Sequence, residues 1–219
     1  MKPGLGVLFS AALFSTTVLT VGQSVVYDNG TNAIFSGGQQ LFYSSANIYG
    51  DEVTLAGTDR TLTSMQLYYY FSGAAPGTAT AIVRLYDNTG TLPAGSPGGL
   101  LFTSDPITLS PGYDNKGIDF TTASPAVTVP DTFTWTIQFS NLGTDQAGLL
   151  VYSPPTVGTS PSDFWEFVGG SWQTMGITGQ PRADFAAQFT AVPEPGVLSL
   201  GALALLAGIG AARSRKVRA

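Results

Sequence analysis

"DTFTWTIQFSN", residues 131–141, places Phe133, Trp135, Ile137 and Phe139 at every second position, with Thr134, Thr136, Gln138 and Ser140 between them. A strand sends alternate side chains to opposite faces, so this is the pattern of a half-buried antiparallel strand, apolar inside and polar outside. A helix would need apolar residues at three- and four-residue spacing, which is missing here.

The same alternation recurs outward along the chain. "ADFAAQFTAV" (183–192) repeats it through Phe185, Ala187, Phe189 and Ala191. "LTSMQLYYYFS" (62–72) puts Met65, Leu67, Tyr69 and Phe71 on one face and Gln66, Tyr68 and Tyr70 on the other. "ATAIVRLYDN" (79–88) sets Ala81, Val83 and Leu85 against Ile82, Arg84 and Tyr86. Shorter candidates are 24–28, 52–57, 100–104, 117–121, 126–130 and 148–152. About ten short strands separated by turn signals predict an all-β antiparallel β-sandwich, jelly-roll-like, over residues 24–191. Composition agrees: 27 glycines, 14 prolines, 11% aromatic and only 11% charged residues in 219.

The chain has neither cysteine nor histidine. This removes disulfides, thiolate chemistry, histidine-dependent triads and histidine-ligated zinc. Residues 24–192 carry 13 acidic and 4 basic side chains, a net of −9, which speaks against a nucleic-acid partner.

Three Asp-Asn-containing stretches, Tyr27–Gly30, Tyr86–Gly90 and Tyr113–Gly117, read as side-chain-capped turns. Calcium would want clustered oxygens there, but none has the full acidic spacing of a known loop. No metal and no cofactor is expected. Asp51 and Glu52 read as solvated turn residues. Asp163 and Glu166, beside Trp165, are the pair a carboxylate-based glycoside hydrolase would need. The plainer reading of 162–167 is an exposed loop with an aromatic plug, and the chain is expected to be non-catalytic. Tyr68, Tyr70, Trp165 and Trp172 are candidates for stacking on sugar rings, as in a carbohydrate-binding module, with core filling as the alternative.

The two ends have another character. Met1-Lys2, an apolar run from Leu5 to about Val21, and the small exit Thr20-Val21-Gly22 form the pattern of a secretory signal peptide over 1–23. Near the other end, Pro193-Glu194-Pro195 precedes an uncharged apolar run, 196–212. As a helix of about 1.5 Å rise per residue it would span about 26 Å, close to the ~30 Å hydrocarbon core. Arg213, Arg215, Lys216 and Arg218 follow, and a basic flank stays cytoplasmic. The expected precursor is a single-pass membrane protein with its C-terminus inside and residues 24–191 outside. The two prolines keep the triplet extended just outside the membrane, a shape that a protease can bind.

The tail 192–219 resembles the PEP-CTERM sorting signal of exported proteins in many Gram-negative bacteria that make extracellular polysaccharide. Val192-Pro193-Glu194-Pro195, the apolar span and Arg213-Ser214-Arg215-Lys216 match in order and spacing. The resemblance implies an exosortase, a membrane transpeptidase, as partner, and cleavage near the triplet. It also implies a mature protein at the cell surface or in the extracellular matrix, associated with exopolysaccharide or biofilm.

Overall fold

The computed structural model describes residues 22–30, 41–74, 77–152, 154–178 and 183–193. Most of the expected signal segment, the apolar span 196–212, Glu194, Pro195, Arg213, Arg215, Lys216 and Arg218 lie outside them.

The described residues are all-β, with no helix, and form two antiparallel seven-stranded sheets. The strands are β1 (Ser24–Asp28), β2 (Phe42–Tyr43), β3 (Ile48–Thr54), β4 (Thr61–Phe71), β5 (Thr80–Asp87), β6 (Leu100–Thr103), β7 (Ile107–Thr108), β8 (Gly112–Asp119), β9 (Thr132–Ser140), β10 (Ala147–Tyr152), β11 (Phe164–Val168), β12 (Ser171–Met175), β13 (Asp184–Phe185) and β14 (Ala187–Val192). The first sheet runs β1-β14-β4-β10-β13, with β2 beside β10 and β8 beside β4. The second runs β12-β11-β3-β9-β5-β6, with β7 beside β5.

One apolar core joins the two sheets in a β-sandwich-like arrangement. Met65, Leu67, Tyr69 and Phe71 of β4, and Phe185, Ala187, Phe189 and Ala191 of β13–β14, come from the first sheet. Ala81, Val83 and Leu85 of β5, with Phe133, Trp135, Ile137 and Phe139 of β9, come from the second. These are the apolar halves of the four alternating stretches, so the period-two pattern does position the core.

Several segments differ from the expectation. Asp51 and Glu52 are not turn residues. Both lie in β3, opposite Trp135 and Thr134 of β9, and Asp51 is completely buried. The loop expected at 162–167 holds only for its first two residues: Phe164–Val168 is β11, paired with both β3 and β12. The turn expected at Tyr113–Gly117 is the middle of β8, laddered to β4 from Ser64 to Phe71, because eight paired residues outweigh the local turn preference of Asp-Asn. Residues 126–130 contribute a bridge, Thr61 to Thr128, instead of a strand.

Gly50 of β3 cannot carry a side chain. A Cβ there would meet the Trp135 carbonyl oxygen and the Thr136 Cα on β9 well inside contact distance. Its absence lets β3 and β9 approach closely in mid-sheet.

Candidate functional site

The two sheets treat their outer faces differently. On the second sheet, Thr134 and Thr136 of β9 should face solvent by alternation, yet both are fully buried. Asn88, just after β5, accepts from Thr134 Oγ1 (2.8 Å) and donates to Glu52 Oε2 (2.9 Å) across this face. Trp172 of β12 packs on Phe167 (ring centroids 5.1 Å apart) and on Tyr86 of β5 (6.0 Å). Three strands separate β12 from β5, about 19 Å at ordinary strand spacing. The sheet therefore curls enough to bring the β12 and β5 rings together. Trp165 is 7% exposed, and Trp172 is half-buried. Neither ring shares a surface with Tyr68 and Tyr70, so the four candidate stacking residues form no single patch.

On the outer face of the first sheet, Tyr113, Asn115 and Gly117 of β8 are exposed. Tyr68 and Tyr70 of β4 lie there, as alternation predicts, half-buried against Leu150, Tyr152 and Ala186. Tyr70 is flanked on both sides, by Phe42 of β2 (4.5 Å) and Tyr113 of β8 (4.8 Å). Gly148 of β10 makes room for this row, since a Cβ there would strike the Phe42 ring and the Tyr43 carbonyl. Tyr113 is 53% exposed.

Amides lie beside the rings. The Tyr68 hydroxyl donates to Gln66 Oε1 (3.0 Å), and Gln66 Nε2 donates to Asn115 Oδ1 (2.9 Å). Gln188 Nε2 donates to Asp28 Oδ2 (3.1 Å). Burial, with the Asp28 charge added, raises the Tyr68 pKa, so its hydroxyl stays a neutral donor at physiological pH.

Two carboxylates of the second sheet point the other way, into the seam between the sheets. Asp51 accepts from the Phe185 amide (2.9 Å) and from Ser160 Oγ (2.9 Å). Glu166 is 4% exposed and accepts from Ser45 Oγ, Asn47 Nδ2 (3.0 Å) and the Tyr43 hydroxyl (3.0 Å). Both Glu166 oxygens are thus engaged by the chain itself, while Asp163 is exposed. In this arrangement Glu166 fastens β11 to the segment following β2.

Asp28 and Asp87 cap their turns: Asp28 Oδ1 accepts from the Gly30 amide, and Asp87 Oδ1 from the Thr89 and Gly99 amides. Among the described residues, no three Asp or Glu side chains gather as a metal site would require. No helix there is long and apolar enough to cross a membrane. Of the sorting residues, only Pro193 is described, directly after the end of β14 at Val192.

Sequence reasoning missed Phe42 and Tyr113 as neighbours of Tyr70. The signal for Tyr113 was its two-residue offset from Asn115 in what is a strand. Phe42 gave none, because its strand has only two residues. Compared with known proteins, the chain matches no family model, no curated protein and no solved structure.

Proposed function

We propose that the chain is an exported, non-catalytic protein of the cell envelope or extracellular matrix, sorted by an exosortase and associated with exopolysaccharide. The observation that carries this is the tripartite tail: Pro193-Glu194-Pro195, an uncharged span 196–212, and the basic cluster from Arg213 to Arg218. The apolar span holds the precursor in the membrane, the basic cluster keeps its end inside, and the triplet waits outside for the transpeptidase. Among the described residues the last strand ends at Val192, directly before the triplet, so cutting there removes no described strand. A jelly-roll-like strand path is part of the same reading, supported by the pairing of the first and last strands, β1 with β14.

The test is expression in a host with and without an exosortase, followed by fractionation and mass analysis of both ends. The expected product is surface-exposed, has lost residues 1 to about 23, and is cut near Pro193–Pro195 only when the exosortase is present. Replacing Pro193, Glu194 and Pro195 by alanine leaves it uncut in the membrane. A full-length product in the cytosol with both ends intact overturns the proposal.

A further inference from the structure

We infer that the outer face of the first sheet, along β8 and the adjoining residues of β4, binds a neutral polysaccharide chain; this rests on the matrix reading above and gives it a site. The ladder between these strands pairs Tyr113 with Tyr70, Asn115 with Tyr68, and Gly117 with Gln66. The outer face is therefore a grid two residues wide: rings at one end, an amide with a tyrosine hydroxyl in the middle, and a bare glycine beside a second amide at the other. Nothing lies within 4 Å of where a Gly117 Cβ would stand, so β8 carries no side chain at that end of the grid.

Each part matches one side of sugar chemistry. A pyranose has an apolar face of C–H groups and a rim of hydroxyls. Tyr113 offers a ring for the first, and it is the one aromatic among the exposed large apolar side chains of the described residues. Tyr70 and Phe42 back that ring, so little side-chain freedom is lost when a ligand stacks on it. Asn115 follows two residues later on the same face, about 7 Å along the strand. Its Oδ1 is held by Gln66, while its Nδ2 makes no hydrogen bond among the described residues and can donate to a hydroxyl.

Charge narrows the ligand class. The six grid residues include no Asp, Glu, Lys or Arg. The intervening Asp114 and Lys116 alternate to the inner side and pair with each other at 3.3 Å. Asp28 and the exposed Asp119 border the grid, and the body as a whole is acidic. An anionic polymer would be repelled, whereas a neutral glycan meets only rings and amides.

The test is affinity electrophoresis of the intact chain in a non-glycosidic detergent, in gels containing hydroxyethylcellulose, galactomannan or alginate. At least one neutral polymer should retard the protein and alginate should not. Tyr113→Ala and Asn115→Ala should each weaken binding about tenfold, while Tyr113→Phe keeps it, because stacking needs the ring and not the hydroxyl. Thermal melting of the variants should match the parent, which excludes misfolding as the cause. The inference is overturned by retardation in alginate alone, by no retardation in either neutral polymer, or by variants that bind as the parent does. It is also overturned if sedimentation shows that Tyr113→Ala only abolishes self-association. Export and tail cleavage of the same variants are read separately: normal sorting without glycan binding removes this inference alone, and failed sorting removes the matrix reading.

Discussion

Asp51 and Glu166 are buried carboxylates on neighbouring strands of one sheet, and both reach inward to hold a piece of the other sheet. Their protonation behaviour is nevertheless opposite. Burial raises the Asp51 pKa well above the ordinary aspartate value; its bonds from the Phe185 amide and Ser160 only partly oppose this, and the nearby Asp184 adds to the rise. Burial is also the largest influence on Glu166, yet Ser45, Asn47 and Tyr43 together outweigh it and hold that pKa below the usual glutamate range. Tyr43 registers the same contact from the other side: burial, the bond to Glu166 and the Glu166 charge push its hydroxyl up to about 12. Depth alone therefore does not decide whether a carboxylate keeps its charge. The donors brought to it, and the like charges left beside it, do.

The largest effect is expected at the residue where the two ties meet. Phe185 supplies the amide that bonds Asp51, and its ring packs on Tyr43, the partner of Glu166, as well as on Tyr49, Trp135 and Phe164. Phe185→Ala should cost about 3–5 kcal/mol in denaturant unfolding. Next comes Asp51→Ala, which strands the Phe185 amide in the core and should cost about 1–3 kcal/mol. Asp51→Asn keeps an acceptor for that amide and should cost clearly less; an equal loss in both variants would show that the tie is not a hydrogen bond.

The pH response should then separate the two groups. Asp51 has a raised folded pKa, so its contribution is fully present below the unfolded aspartate pKa and is lost as pH rises through the folded value. Glu166 has a lowered folded pKa, so its contribution is present above the unfolded glutamate pKa and is lost as pH falls through the folded value. Melting temperature should fall as pH rises from the unfolded aspartate pKa through the folded Asp51 value in the parent, and that fall should flatten in Asp51→Asn. Glu166→Gln should instead flatten part of the acid limb. The smallest effect is expected for Ser45→Ala, which leaves Glu166 its Asn47 and Tyr43 donors and should cost about 1 kcal/mol or less. Its acid limb should move toward higher pH.

The stretches that alternate strictly were legible because each packs a single face. Met65 to Phe71 and Ala81 to Leu85 needed no information from elsewhere in the chain. The β11 strand was not legible, since Phe164, Trp165, Glu166 and Phe167 put large groups on both faces, and Phe164 and Trp165, which point opposite ways, are both buried. Asp51 sits in Gly-Asp-Glu, a turn-like composition. Only the position of the Phe185 amide, 134 residues away, makes a buried acid useful there. The candidate binding face was half visible. Tyr68 and Tyr70 declared their side by alternation, but Tyr113 and Asn115 join them through a ladder that runs against the local turn signal of Asp114-Asn115.

The position of β14 has a mechanical consequence. It lies between β1 and β4, with Ser24 opposite Ala191 and Thr61 opposite Val192. Tension on the chain just beyond Val192 runs along β14 and loads both neighbouring ladders in shear, so many hydrogen bonds must yield together instead of peeling one by one. A body hung from its last strand in this way resists being dragged open from the very end at which it would be tethered.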